Sequence, residues 1–290
     1  MKYIPIQYKI RFNEPVPWGG IPEIIFRSVL GMQLHRLCCV LKDQEKCSLC
    51  PLRSTCVYAW FFETYIPKDI PILEGRDRAP HPFLIEYEQT GKCEAILQIS
   101  FLGTSRNFIP YITESLERAG KSGVARARIP FEILEITFNN YAYKYDMQAL
   151  DAISYHWPRD FHHAKCSHIK LSTPCRIKSG GIYLSKVSLQ DLLVSIHRRV
   201  AILETLFGEK NIPPLPDHIP MSLIQNQFWK DQNYYSVRQK DSMKMGGVVG
   251  SIKLLGETDA LTMQLLEAGE AFHVGKNVSF GLGKIILLEE

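Results

Sequence analysis

The chain lacks any apolar run long enough to cross a bilayer: stretches such as Ile285–Leu288 and Val57–Phe62 fall far short of the about 20 residues a spanning helix requires. A membrane partner is therefore not expected. Its first ten residues, Met1 to Ile10, alternate where a secretion signal would carry an unbroken apolar core, and no small-residue cleavage site follows. That pattern implies a cytoplasmic protein. No strong excess of one charge is present: a net charge of +4 and a pI near 8.5 permit a nucleic-acid partner without demanding one. With 46% hydrophobic and 22% charged residues, the composition excludes a disordered chain. Eight cysteines without a secretion signal argue against a disulfide framework, because the cytosol keeps thiols reduced.

What is present reads as two domains, the natural division of 290 residues. Tyr3 to Phe12 alternates, with Ile4, Ile6, Tyr8, Ile10 and Phe12 on one side, so a strand buried on one face is expected. Pro22 opens a helix whose Phe26, Val29, Leu30, Gln33 and Leu37 fall near one meridian. A cysteine-bearing insertion follows, about residues 38–62. Phe83–Glu88 and Glu94–Phe101 then read as a hairpin, Asn107–Ala119 as a helix closed by Gly120, and Ala127–Phe138 as a further strand. The order is βαββαβ, the ferredoxin-like plan.

Residues 139–165 show no sustained period and serve as the connection between a first domain at 1–138 and a second at 166–290. In the second, Cys166–Leu171 reads as a strand, and Ser188, with Asp191 three residues on, caps a helix that ends at Gly208. Strand-like stretches at Leu223–Arg238 and Gly247–Leu255 precede a short helix capped by Thr258 and a last strand, Lys284–Leu288. The plan repeats without detectable repetition of residues. The expected fold class is α+β, two tandem ferredoxin-like (RRM-like) domains with a cysteine-rich insertion in the first.

Three segments carry a family resemblance. The first runs from Phe26-Arg27-Ser28-Val29-Leu30-Gly31 through the cysteine insertion to Tyr58 and Phe62-Glu63. The second is Ser172-Thr173-Pro174-Cys175-Arg176-Ile177-Lys178, followed by Arg198-Arg199 on the helix ending in Leu206-Phe207-Gly208. The third is Tyr235-Ser236-Val237-Arg238-Gln239, Gly246-Gly247-Val248-Val249-Gly250, His273-Val274-Gly275-Lys276 and Phe280-Gly281-Leu282-Gly283-Lys284. Together they resemble the CRISPR-associated repeat endoribonucleases, the Cas6-type branch of the RAMP superfamily.

The resemblance implies metal-independent cleavage of CRISPR repeat RNA: the ribose 2′-hydroxyl attacks phosphorus and leaves a 2′,3′-cyclic phosphate and a 5′-hydroxyl. No cofactor is needed for that chemistry. It does need a base, an acid and positive charge or amide donors for the phosphorane. His273 belongs to the glycine signature. His35 lies opposite Phe26 on its helix, on a face shared with Ser28, Gly31 and Cys39, whose small side chains would let RNA approach. Either histidine suits the base, with Tyr58 and Tyr235 as assistants; His162, His163 and His168 read as ordinary solvent-facing residues.

Arg27, Arg36, Arg198, Arg199 and Arg238, with Lys276 and Lys284, are candidate phosphate contacts, and Arg126 and Arg128 could add to them. The backbone amides at Gly275, Gly281 and Gly283 are candidates too, unless those glycines only shape a tight turn. Cys39, Cys47, Cys50 and Cys56 offer four thiols within eighteen residues, which suits a structural zinc, although an iron–sulfur cluster or plain reduced thiols fit the same spacing. Two competing readings stand beside the endoribonuclease: a non-catalytic RAMP subunit that binds guide RNA in a CRISPR effector complex, and a metal or redox protein organised by the cysteines.

Overall fold

The alternating apolar residues of the N-terminal segment do form a strand, β1 (Lys2–Phe12), and its Ile4, Ile6, Tyr8 and Ile10 are fully buried. Each such side chain contributes roughly 1.5–3 kcal/mol by leaving water. The computed structural model describes residues 1–42, 46–64, 66, 70–74, 79–139, 141–142, 154–158, 160, 166–236 and 241–289, with the backbone alone at 141, 233–236 and 241–244. It divides into a first unit, Lys2–Ser154, and a second made of Met1 and Tyr155–Glu290.

In the first unit α1 (Pro22–Cys38) follows β1, and β2 (Phe83–Gln89) and β3 (Glu94–Leu102) form an antiparallel hairpin. Then come α2 (Ile109–Ser122), β4 (Phe131–Phe138) and the short β5 (Tyr141–Ala142). The sheet order β2-β3-β1-β4-β5 places the first strand between the third and fourth, as a ferredoxin-like plan requires. The two helices pack together on one face of the sheet, where the Tyr8 hydroxyl meets Thr113 Oγ1 at 2.9 Å.

The second unit opens with the two-residue β6 (Tyr155–His156) and continues with β7 (His168–Cys175) and a small hairpin, β8 (Lys178–Ser179) and β9 (Ile182–Tyr183). Next are α3 (Leu189–Phe207), β10 (Ser222–Lys230), the ladder of β11 (Asn233–Ser236) with β12 (Asp241–Lys244), β13 (Gly247–Leu254), α4 (Ala260–Phe272) and β14 (Ile285–Leu288). The main sheet, β10-β13-β7-β14, repeats the order of the first unit. The chain therefore consists of two tandem ferredoxin-like folds of the α+β class. No helix among the described residues is long and apolar enough to cross a membrane.

Several element ends differ from the sequence expectation. The second helix runs through Gly120 and stops at Gly123, whose φ of +79° takes the chain out of the helix. Residues 124–129 form a bridged turn, so the strand expected from Ala127 starts at Phe131. Ser188 and Asp191 form the expected capping box of α3, but α4 is capped by Asp259 and not Thr258. Asp259 accepts hydrogen bonds from the amides of Leu261 and Thr262, both at 2.9 Å, and from the Thr262 hydroxyl at 2.8 Å.

Candidate active site and RNA-contact residues

The insertion after α1 returns to it through a π-helical turn, Ala59–Glu63, closed by a hydrogen bond from Thr64 N to Ala59 O at 3.0 Å. Such turns rotate successive side chains to new directions and are frequent at functional sites. Phe61 points into the core, with its ring centroid 5.5 Å from Phe83 and 5.7 Å from Phe108. Phe62 lies on α1, where a Cβ on Gly31 would come within 3.0 Å of its ring. Gly31 of that helix face thus receives an aromatic ring from the same unit, a correction to the expectation that it leaves room for RNA.

Beyond Phe62 the turn presents Tyr58, stacked on Phe62 at 5.6 Å and 14° between planes. The Tyr58 ring meets His35 edge to face, with centroids 4.7 Å apart. Both residues are half-buried, so each keeps an accessible edge. The structure brings together two of the candidate catalytic residues and holds them on a packed aromatic base.

Sequence reading missed His81. Its Nε2 lies 2.8 Å from an Arg27 guanidinium nitrogen and its Nδ1 2.8 Å from the Phe61 carbonyl. A guanidinium only donates, so Nε2 accepts and Nδ1 carries the proton: His81 is the neutral tautomer here. Arg27 also lies 5.2 Å over the Phe62 ring. It braces the π turn, while Arg36 on the same helix is exposed. No local signal marks His81, because its partners are brought to it by the fold.

The glycine signature of the second unit is packed, not open. His273 is only 1% exposed, with a φ of +57°, and its Nδ1 lies 3.1 Å from the Leu282 carbonyl. It holds the two arms of the loop together and has no surface to offer a substrate, against the expectation of a catalytic base. Gly281 and Gly283 are buried as well. A Cβ on Gly283 would lie 2.0 Å from the Val274 carbonyl, whose own amide donates to Gly283 O at 2.8 Å. Gly283 thus permits backbone to meet backbone, and buried Gly281 turns the chain at a φ of +77°, which corrects their expected role as phosphate contacts. Lys276 is exposed, Gly275 and Lys284 are half-buried, and the Lys284 amide donates to Thr173 Oγ1 at 2.8 Å.

The paired arginines of α3 part ways. Arg198 is exposed, whereas Arg199 is 8% exposed and its Nε donates to the Phe272 carbonyl at 2.5 Å, tying α3 to the end of α4. Burial lowers its guanidinium to about 9. Arg199 is therefore a core brace and not a surface phosphate contact. Tyr235 lies on β11, described by its backbone alone, while Arg238, His162 and His163 lie outside the described residues. His168 sits beside Ser167, with Nδ1 2.9 Å from the hydroxyl.

The thiols do not fit the expected metal centre. Among the described residues, no group of three or more His, Cys, Asp or Glu side chains converges as metal ligands would. Cys39 Sγ instead donates to the Leu41 carbonyl at 3.6 Å. The described residues therefore give no support to zinc or an iron–sulfur cluster at Cys39, Cys47, Cys50 and Cys56, nor to a protein organised around them.

Comparison with known proteins adds to this geometry. Residues 1–151 match the family model of an N-terminal domain designated AF_1859_N, and residues 169–285 match that of the CRISPR-associated endoribonuclease Cas6. No curated protein matches the sequence. Among solved structures, a Cas6 product complex shares 14% identity and a TM-score of 0.51 over 100% of both chains. A Cas6 from Thermus thermophilus shares 10% identity and a TM-score of 0.51 over 99% of this chain and 98% of its own. At such identities the likeness concerns the fold.

The first model spans just over half of the chain, which therefore belongs to the AF_1859_N family. Its second unit carries the match to the CRISPR-associated endoribonuclease Cas6, on the tandem ferredoxin-like fold that the solved Cas6 structures share.

Proposed function

We propose that this protein cleaves CRISPR repeat RNA by internal attack of a ribose 2′-hydroxyl, with His35 as general base. The observation that carries the assignment is the His35–Tyr58 contact, which sets an imidazole and a phenol edge to face at 4.7 Å on an accessible part of the first unit. His35 takes the proton of the 2′-hydroxyl as the bond from its oxygen to phosphorus forms. The bond from phosphorus to the 5′-oxygen breaks, and the leaving oxygen takes a proton from the Tyr58 hydroxyl. Exposed Arg36, one residue along α1, is the candidate for the added charge of the phosphorane.

The partner is CRISPR repeat RNA, and the product is a guide RNA with a 2′,3′-cyclic phosphate. Purified protein is incubated with repeat RNA in EDTA and the ends of the products are analysed. A cyclic phosphate and a 5′-hydroxyl are expected. Tight binding without any product would transfer the reading to a guide-RNA-binding subunit. Tyr58→Phe preserves the stacked ring while removing the hydroxyl, so it should slow single-turnover cleavage by about tenfold or more; an unchanged rate would remove Tyr58 from the chemistry.

A further inference from the structure

The β8–β9 hairpin of the second unit gathers cations around one aromatic ring. Its turn, Gly180-Gly181, has φ of +55° and +87°, the left-handed pair that a two-residue hairpin of this hand needs. The register sets Lys178 directly opposite Tyr183, and Arg176 precedes Lys178 by two residues. The Arg176 guanidinium lies 4.2 Å over the centre of the Tyr183 ring and Lys178 Nζ lies 5.6 Å from it.

A third cation arrives from the glycine loop. Lys276 Nζ is 5.6 Å from the same ring centre and 3.4 Å from the Tyr183 hydroxyl. Gly275 makes this possible: the Lys276 amide donates to the Arg176 carbonyl at 3.0 Å, and a Cβ on Gly275 would come within 2.6 Å of that carbonyl. The glycine that resembles a ligand cradle in the sequence thus docks the loop against the hairpin and delivers a lysine to the ring.

Three cations on one aromatic ring repel one another, and the ring's negative face offsets only part of that repulsion. Among the described residues no carboxylate forms an ion pair with Lys178 or Lys276. Lys178 and Lys276 are exposed and Tyr183 is half-exposed, so an incoming anion can reach them. The phenol registers the same field. Slight burial raises its pKa, but the hydrogen bond with Lys276 and the charges of Arg176, Lys276 and Lys178 outweigh this and lower it.

We infer that Arg176, Lys178 and Lys276, gathered around Tyr183, form a seat for one phosphodiester of the bound RNA. The inference rests on the RNA-processing reading and adds to it a contact on the second unit built by a hairpin and the glycine loop together. One phosphate oxygen pair would be shared by the lysine ammonium groups and the guanidinium, and Tyr183 would hold the cations in register.

The test is binding of fluorescent repeat RNA across a KCl series, for the wild type, Lys178→Ala, Lys276→Ala, the double variant and Lys121→Ala, an exposed lysine of the first unit. Losing one phosphate contact lowers the slope of log affinity against log salt by about 0.7 for a single strand and about 0.9 for a duplex. Lys178→Ala and Lys276→Ala should each lower it, and Lys121→Ala should not. A double variant with the wild-type slope, in a protein that still binds and cleaves repeat RNA, overturns the seat and leaves the function standing. Wild-type protein that does not bind repeat RNA removes the function itself, and the seat with it.

A second readout is the absorbance titration of Tyr183, taken as wild type minus Tyr183→Phe. Repeat RNA should move the phenol pKa upward as the phosphate neutralises the cations. A shift with inorganic phosphate but none with repeat RNA would assign the seat to a free anion and overturn the RNA contact.

Discussion

Each unit offers one histidine at the place where its family resemblance is strongest, and the two are treated in opposite ways. His35 stands half-buried at the end of α1 against the edge of Tyr58, on a base of packed aromatic rings. His273 is enclosed, with a left-handed backbone and a ring tied to Leu282. Chemistry on a polymer needs a group that the polymer can touch, and only the first arrangement provides one. The second shows how a sequence signature can arise from packing: a loop that folds back on itself needs glycines for close approach and one polar side chain to fasten it.

The largest effect should fall on cleavage. His35→Ala should lower the single-turnover rate by about 10²- to 10⁴-fold without altering the thermal midpoint, as removal of a general base does. His273→Ala should instead lower stability by about 1–3 kcal/mol, since the loop's buried carbonyl loses its partner, with cleavage falling only as the folded fraction falls. Denaturant unfolding beside cleavage separates the two. A His273 variant of wild-type stability that has lost cleavage would reverse the comparison.

Next in size is Gly283→Ala. The new methyl would meet the Val274 carbonyl at 2.0 Å on a residue with a φ of +73°, so a loss of at least about 2 kcal/mol is expected in denaturant unfolding. A mild effect there would mean that the glycine loop is looser than its packing indicates, and would reopen it as a ligand cradle.

A smaller effect distinguishes the two helix caps of the second unit. Ser188→Ala and Asp259→Ala should each cost about 1 kcal/mol. Only the second should depend on acid. Slight burial raises the Asp259 carboxyl, but its hydrogen bonds to Thr262 and Leu261 outweigh this and depress it. A depressed carboxyl contributes its full stability above the unfolded pKa and loses it as pH falls through the folded value. The gap in thermal midpoint between wild type and Asp259→Ala should therefore close in acid, while the Ser188→Ala gap stays constant.

The fold was largely legible because alternation and helical period are local properties. β1, α1, the β2–β3 hairpin and the Ser188 cap of α3 all lie where the pattern of apolar and capping residues puts them. Ends were harder. Gly120 and Gly123 both offer a stop; the helix passes Gly120, which lies where a Cβ would meet the Phe131 carbonyl at 2.3 Å, and ends before Gly123, where φ turns to +79°. The position of His35 opposite the core also followed from period alone. Its surroundings did not, since Tyr58 and Phe62 reach α1 through a π turn and Arg27 meets His81 across 54 residues of sequence. The burial of His273 and Arg199 was invisible for the same reason: their partners, Leu282 and Phe272, are carbonyls chosen by tertiary approach.

The smallest effects should come from the thiols, where sequence density suggested a metal and the described residues gather no set of ligands for one. Burial, followed by the neighbouring Cys56, pushes the Cys38 thiol up to about 11, and burial alone pushes Cys175 up to about 12. Since the thiolate is the reactive form, folded protein at mildly alkaline pH should alkylate slowly at Cys38 and not at Cys175. Raised thiol values also mean that these groups favour the folded state below the unfolded thiol pKa, and that the advantage is lost as pH rises toward the folded values. Cys50→Ser, by contrast, is a near-isosteric change at a half-buried thiol and should shift stability by no more than about 0.5 kcal/mol. Stoichiometric zinc or iron in the purified protein, with a drop in thermal midpoint on chelation, would show that the insertion gathers its cysteines after all, and would give the first unit a second centre beside His35.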